Sequence, residues 1–174
     1  ASIGNLVSTN LMYSNTGKPI ELDYAGTPGN NGKAVPAITT VSATSVTGTS
    51  EPNNTVEVYK NATGDCNDAS LFLGTQTADG TGNWSLTGLS ITPGEYVLAT
   101  ATDGSSNTSE FSDCMVLASN LYWVNNGGSW ELTANWSSTS GGGSCSCVPT
   151  ATDNVIFDSN SFSGPGQVVA LPVG

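Results

Sequence analysis

The residues of this sequence with chemistry to offer are four cysteines (Cys66, Cys114, Cys145 and Cys147), a close set of tryptophans (Trp123, Trp130 and Trp136) and acids scattered through loops. The side chains that are missing narrow that chemistry. There is no His, and three lysines are the only basic residues against 14 Asp and Glu, a net charge of −11. Without His, neither a Ser-His-Asp nor a Cys-His nucleophile can be assembled, nor a His-bearing zinc site. Nucleic acid and anionic membrane surfaces are excluded as partners, because phosphate binding needs clustered cations. No apolar run is long enough for membrane insertion. A carboxylate-only hydrolase needs two acids held across a cleft. The acids here fall mostly in turns, so the chain is expected not to be an enzyme.

An even number of cysteines in a Lys-poor, Thr- and Asn-rich chain points to disulfides and an oxidising compartment. Cys145-Ser146-Cys147 is too tight for zinc-ligand spacing. A Cys66–Cys114 bridge would close a long loop and stabilise by about 4 kcal/mol on the chain-entropy model. A direct Cys145–Cys147 bridge is not expected, since residues two apart on a strand miss the usual disulfide geometry. Their partners are left open, beyond this segment or on another copy.

Two uses are open for Trp123, Trp130 and Trp136. Flat rings with polar edges suit the faces of sugars, so the set could stack on surface glycans. Large rings in a segment with few other apolar residues also build its core, and this use carries more weight. Oxygen ligands crowd several loops: Asp65, Asn67 and Asp68; Asp79; Asp103 and Asn107; Asp153, Asn154 and Asp158. Ca2+ takes such ligands, with Asp79, Asp103 and Asn107 the candidates. No complete Asp-x-Asp-x-Asp-Gly loop is present, so solvated turns are the plainer reading and no cofactor is required.

The elements that must position these residues are β-strands. Ser, Thr, Asn and Gly dominate the polar part, all poor helix formers and good turn formers. Seven strand-like runs lie near 38–43, 45–49, 55–60, 71–77, 83–88, 95–102 and 111–118. Alternation is clearest in Thr55-Val56-Glu57-Val58-Tyr59-Lys60, with breaks at Glu51-Pro52-Asn53-Asn54, Asp79-Gly80-Thr81-Gly82 and Thr92-Pro93-Gly94. The expected fold class is all-β. An immunoglobulin-like sandwich spans 37–119, after a β-helix-like N-terminal coil and connector over 1–36 and before a β-rich segment over 120–174.

Three stretches carry resemblances. Asn5, Asn10 and Asn15 with Asn15-Thr16-Gly17-Lys18-Pro19-Ile20-Glu21-Leu22 are similar to the last coil of a right-handed parallel β-helix. Val46-Thr47-Gly48-Thr49-Ser50-Glu51-Pro52, Gly82-Asn83-Trp84 and Asn107-Thr108-Ser109-Glu110-Phe111-Ser112 resemble bacterial Ig-like domains. In the last motif Ser106 stands where those domains usually carry Gly, which weakens the expectation of a special turn there. Tyr122-Trp123-Val124, Ala134-Asn135-Trp136-Ser137 and Asp153-Asn154-Val155-Ile156-Phe157-Asp158 resemble a repeat of very large secreted Bacteroidetes proteins, including gliding and adhesion surface proteins of the type IX secretion kind. There the repeat leads into a further β-helix, and Gln167–Val173 looks like its first strand.

The resemblance implies an extracellular, cell-surface structural or adhesive module without catalytic residues. Interrupted β-coils at both ends would leave strand edges that recruit other copies or adjoining segments of the same protein, head to tail, as a fibre. A carbohydrate-binding accessory module of a secreted enzyme is the alternative.

Overall fold

The computed structural model describes residues 2–23, 26–62 and 66–172. Asp65, Val173 and Ala25 of the turn-rich connector lie outside the described residues. The chain is all-β and forms two compact units, Ala1–Leu117 and Ala118–Gly174.

Among the described residues unit 1 holds seven strands: β1 (Ala37–Val41), β2 (Ser45–Thr49), β3 (Thr55–Asn61), β4 (Leu71–Thr77), β5 (Asn83–Thr87), β6 (Tyr96–Thr102) and β7 (Met115–Val116). One sheet has the order β1-β2-β5 and the other β4-β3-β6-β7, with every pairing antiparallel. The period-2 pattern explains the layering. Val46, Trp84, Val56, Val58, Val97 and Ala99 point from the two sheets into one buried core, joined by Leu73 and Leu86. Gly48 pairs with Trp84 across the β2–β5 ladder, and the indole lies directly over it.

The seventh strand is much shorter than the expected run over 111–118, for a local reason. Ser109 and Ser112 donate their backbone N–H groups to Ala101 and Ala99 of β6. Their hydroxyls accept the N–H groups of the same two residues, at 2.9 and 3.0 Å. Side-chain oxygens thus stand in for the carbonyls of a regular ladder.

The outer face of the larger sheet is covered by residues 2–23. They contain no strand and make one isolated bridge, Met12 with Ala69. The Asn-cornered coil expected over 1–36 is therefore not formed as a series of strands. Left-handed backbone falls on Thr9 and Ser14, not on Asn10 and Asn15. Asn5 instead donates to the buried Asn30 side chain through its backbone N–H and its Nδ2. This strap buries Tyr59, Leu98 and Ala69 in a second small core with Phe72, Phe111 and Cys114.

Unit 2 holds β8 (Asn120–Trp123), β9 (Gly128–Ser129), β10 (Trp136–Ser137), β11 (Asn154–Ile156) and β12 (Val169–Ala170). β11 runs parallel to β8, with Asn154 beside Asn120, and β12 runs parallel to β9. The chain thus passes twice along the same course, each later strand lying beside its earlier counterpart. β10 pairs antiparallel with β8 on the side away from β11. Among the described residues of the strand expected over Gln167–Val173, Val169–Ala170 form β12.

Candidate functional site

The loop acids act as turn-builders. Asp79-Gly80-Thr81-Gly82-Asn83 and Asp103-Gly104-Ser105-Ser106-Asn107 fold alike. In each, the Asp Oδ1 accepts the backbone N–H groups two and four residues on, at 2.8 and 3.0 Å in both turns. The fourth residue is left-handed in both: Gly82 at φ 90° and Ser106 at φ 64°. The special turn that Ser106 made doubtful is thus present, with Ser in the position Gly fills at 82. Hydrogen bonds from Thr81 and its neighbours hold the Asp79 carboxyl below the usual range, and those from Asn107 and Ser105 do the same for Asp103. The candidate Ca2+ ligands are divided, Asp103 and Asn107 in one turn and Asp79 in another. Among the described residues no group of three or more acids or cysteines is arranged to hold a metal ion.

Two clefts of unit 1, of about 280 and 400 Å3, share Glu110 in their walls. Its carboxylate accepts from Lys18 Nζ at 2.6 Å and from the Leu22 N–H at 2.9 Å. Burial pushes this carboxyl up, but those donors outweigh it and leave it below its ordinary value. Glu110 is a tether for the strap and is not tuned as a general acid.

The tryptophans form the core of unit 2. Trp123 and Trp136 are fully buried, edge to face with ring centroids 5.1 Å apart, and Trp130 meets Trp136 at 4.7 Å. Trp123 Nε1 donates to the Asn126 carbonyl and Trp136 Nε1 to the Trp130 carbonyl. Trp123 and Trp136 pack on each other and on Phe157 and so are not open to a sugar, whereas Trp130 is half-buried. Asn135, also buried, knits the same core by accepting from Asn125 and donating to the Ser129 carbonyl.

All four cysteines are paired, Cys66 with Cys114 and Cys145 with Cys147. The second pairing overturns the expectation that these two would not bridge directly. They do not lie on a strand. Ser146 between them is left-handed at φ 57°, which brings the Cα atoms to 5.2 Å. Disulfides of this kind mark an oxidising, extracellular type of environment. No helix among the described residues is long and apolar enough to cross a membrane.

Unit 2 has an open outer edge. β11 has β8 on one side and β12 has β9 on one side, and among the described residues neither has a strand on the other. Asn154 donates its side-chain Nδ2 to Asn120 Oδ1 across the rung at 3.0 Å. Beside this edge Val168 and Leu171 are 70% and 68% exposed and Phe157 is 46% exposed.

Sequence reasoning missed two groupings. One is Glu57 beneath the strap. The other gathers Lys33, Glu51 and Asn54. Scarcity was the available signal for the second: with only three cations in the chain, each has a specific partner. A scan against protein-family models and a search of curated proteins each found no match to this chain.

Proposed function

We propose that this chain is a non-catalytic extracellular structural module of a bacterial surface protein, in which an Ig-like sandwich serves as spacer and unit 2 begins a parallel β-stack that takes on further strands. The observation that carries this reading is the one-sided stacking of unit 2. β10 closes the outer side of β8, whereas the later rung of β11 and β12 offers unpaired backbone with apolar side chains beside it. A strand laid parallel to β11 would extend the Asn120–Asn154 pair into a ladder, and one laid parallel to β12 would cover Val168 and Leu171.

The sandwich reading draws on the sheet orders β1-β2-β5 and β4-β3-β6-β7, an arrangement shared by many Ig-like domains. The resemblance to large secreted Bacteroidetes proteins agrees with the disulfides and the acidic surface. Residues 2–23 are bonded within unit 1, so the edge of unit 2 is the better founded joining surface. Strand addition between copies there is the route to a fibre. The carbohydrate-binding alternative is weakened by the burial of Trp123 and Trp136, which leaves Trp130 as the one half-buried ring of the set.

Sedimentation velocity and electron microscopy over a concentration series test the proposal. Association that grows with concentration, and that the pair Val168→Lys and Leu171→Lys abolishes without altering the folded spectrum, is the expected result. A chain that stays monomeric at the highest concentration would refute strand addition between copies.

A further inference from the structure

An asparagine followed by two hydrophobic residues and then an aromatic one occurs three times in this sequence: Asn10-Leu11-Met12-Tyr13, Asn120-Leu121-Tyr122-Trp123 and Asn154-Val155-Ile156-Phe157. The second and third copies are β8 and β11 with the residue after it. They lie parallel and in register, Asn120 beside Asn154, Leu121 beside Val155 and Tyr122 beside Ile156. Each position of the pattern has a use in that pairing. The asparagines bond side chain to side chain, Leu121 and Val155 share the core, and Trp123 meets Phe157 with centroids 6.1 Å apart.

The first copy lies in the strap of unit 1, where its side chains have no such use. Asn10 is exposed, and Leu11 and Tyr13 are 47% and 64% exposed. These two occupy the positions of Leu121 and Trp123, which β8 buries. Among the described residues the backbone of 10–13 makes one pair, the two bonds between Met12 and Ala69. Residues 1–17 also carry no charge in a chain of net charge −11, so this stretch can approach an acidic copy without repulsion.

We infer that residues 10–13 of a second copy form the third rung of the stack, laid parallel on β11. The inference rests on the reading of unit 2 as an open stack and names what the open edge accepts. In register, Asn10 lies beside Asn154 and extends the amide ladder. The Val155 N–H donates to the Asn10 carbonyl and the Met12 N–H to the Val155 carbonyl, in exchange for the Met12–Ala69 pair. Leu11 covers Val155, and Tyr13 covers Phe157, which is 46% exposed in the single chain. The bonds of Asn5 to Asn30 and of Leu22 to Glu110 keep the strap on its own copy. Lifting the residues between them gives up the bonds of Thr9 to Glu57 and of Ser14 to Asp68, so docking needs a high chain concentration. The contact is heterologous: each copy lends a strap and offers an edge, and growth runs head to tail.

Sedimentation velocity on full-length variants tests this. Leu11→Lys with Tyr13→Lys alters side chains that unit 1 leaves exposed, and should abolish association. Ile3→Lys with Leu6→Lys, equally exposed on the same strap, should leave it intact. Val155→Pro removes an N–H on the open side of an edge strand, where proline is tolerated, and should also abolish association. Emission from the buried Trp123 and Trp136 reports whether unit 2 stays folded in that variant. Mixed in equal amounts, the Leu11/Tyr13 variant and the Val155 variant should form a 1:1 dimer and nothing larger, since one retains the edge and the other the strap. Association of the Leu11/Tyr13 variant at the native level, with Val155→Pro monomeric, would overturn this inference and leave strand addition at the edge standing. Loss of association in the Ile3/Leu6 variant, or no dimer in the mixture, would overturn it too. A native chain that never associates would refute both.

Discussion

Tyr59 donates its phenolic hydroxyl to the carboxylate of Glu57 across 2.6 Å, on the outer face of the larger sheet of unit 1. The same carboxylate accepts the Ser8 hydroxyl at 2.5 Å and the Thr9 N–H at 2.9 Å, so it is the peg on which the N-terminal strap hangs. Burial, and then the neighbouring carboxylate, push the Tyr59 phenol well above its ordinary value and keep it a donor. Glu57→Ala leaves three donors without this acceptor and should destabilise unit 1 by about 3 kcal/mol. Tyr59→Phe removes one donor and should cost about 1 kcal/mol. Urea unfolding measures both, and limited proteolysis should show residues 2–23 cleaved first in Glu57→Ala.

Gly48 is a packing residue. A Cβ there would collide with the Ala37 carbonyl and with the indole of Trp84. Gly48→Ala should therefore cost about 2 kcal/mol by forcing Trp84 off its site or β1 off its ladder. Thermal unfolding of the variant, followed by Trp fluorescence, checks this.

The two disulfides should differ in weight. Cys66–Cys114 joins residues 48 apart and should contribute about 4 kcal/mol on the chain-entropy model. Cys145–Cys147 spans a separation of 2 and should contribute about 1 kcal/mol on the same model. Denaturation of Cys66→Ser with Cys114→Ser, against Cys145→Ser with Cys147→Ser, separates the two effects.

Acid should loosen the paired turns. The folded Asp79 and Asp103 carboxyls lie below their ordinary value, so their contribution is present above the unfolded value near pH ~4 and is lost as pH falls through the folded value. Stability should therefore decline below about pH 4. Asp103→Asn, which keeps an acceptor oxygen but does not titrate, should flatten that decline. Unfolding midpoints measured at stepped pH values report the slope.

Much of unit 1 was legible in the sequence because its strands have one buried face and hard breaks between them. Val56 and Val58, Trp84 with Leu86, and Pro52 or Gly94 at the breaks place the strands to within a residue or two. The strap was not legible, because its fixation depends on distant acceptors, Glu57 and Asn30, while the five-residue spacing of Asn5, Asn10 and Asn15 points to coil corners instead. The last strand is shorter than the expected run over 111–118 for a related reason: Ser112, inside that run, bonds to β6 with its hydroxyl as acceptor in place of a backbone carbonyl. In unit 2 the tryptophan core and the Val169–Ala170 strand could be anticipated. The Cys145–Cys147 bridge could not, since it depends on the left-handed backbone of Ser146.

The parallel edge of unit 2 is best tested by amide hydrogen exchange, compared between dilute chain and chain concentrated until it associates. Asn154 N–H points inward to the Ser119 carbonyl, so by strand alternation the Val155 N–H faces the open side. The account predicts that association slows exchange at Val155, Val169 and Leu171, with Asn154 and Ala170, which face their present partners, unchanged. Association that leaves these amides exchanging as fast as in the monomer, or no association at all, would contradict it.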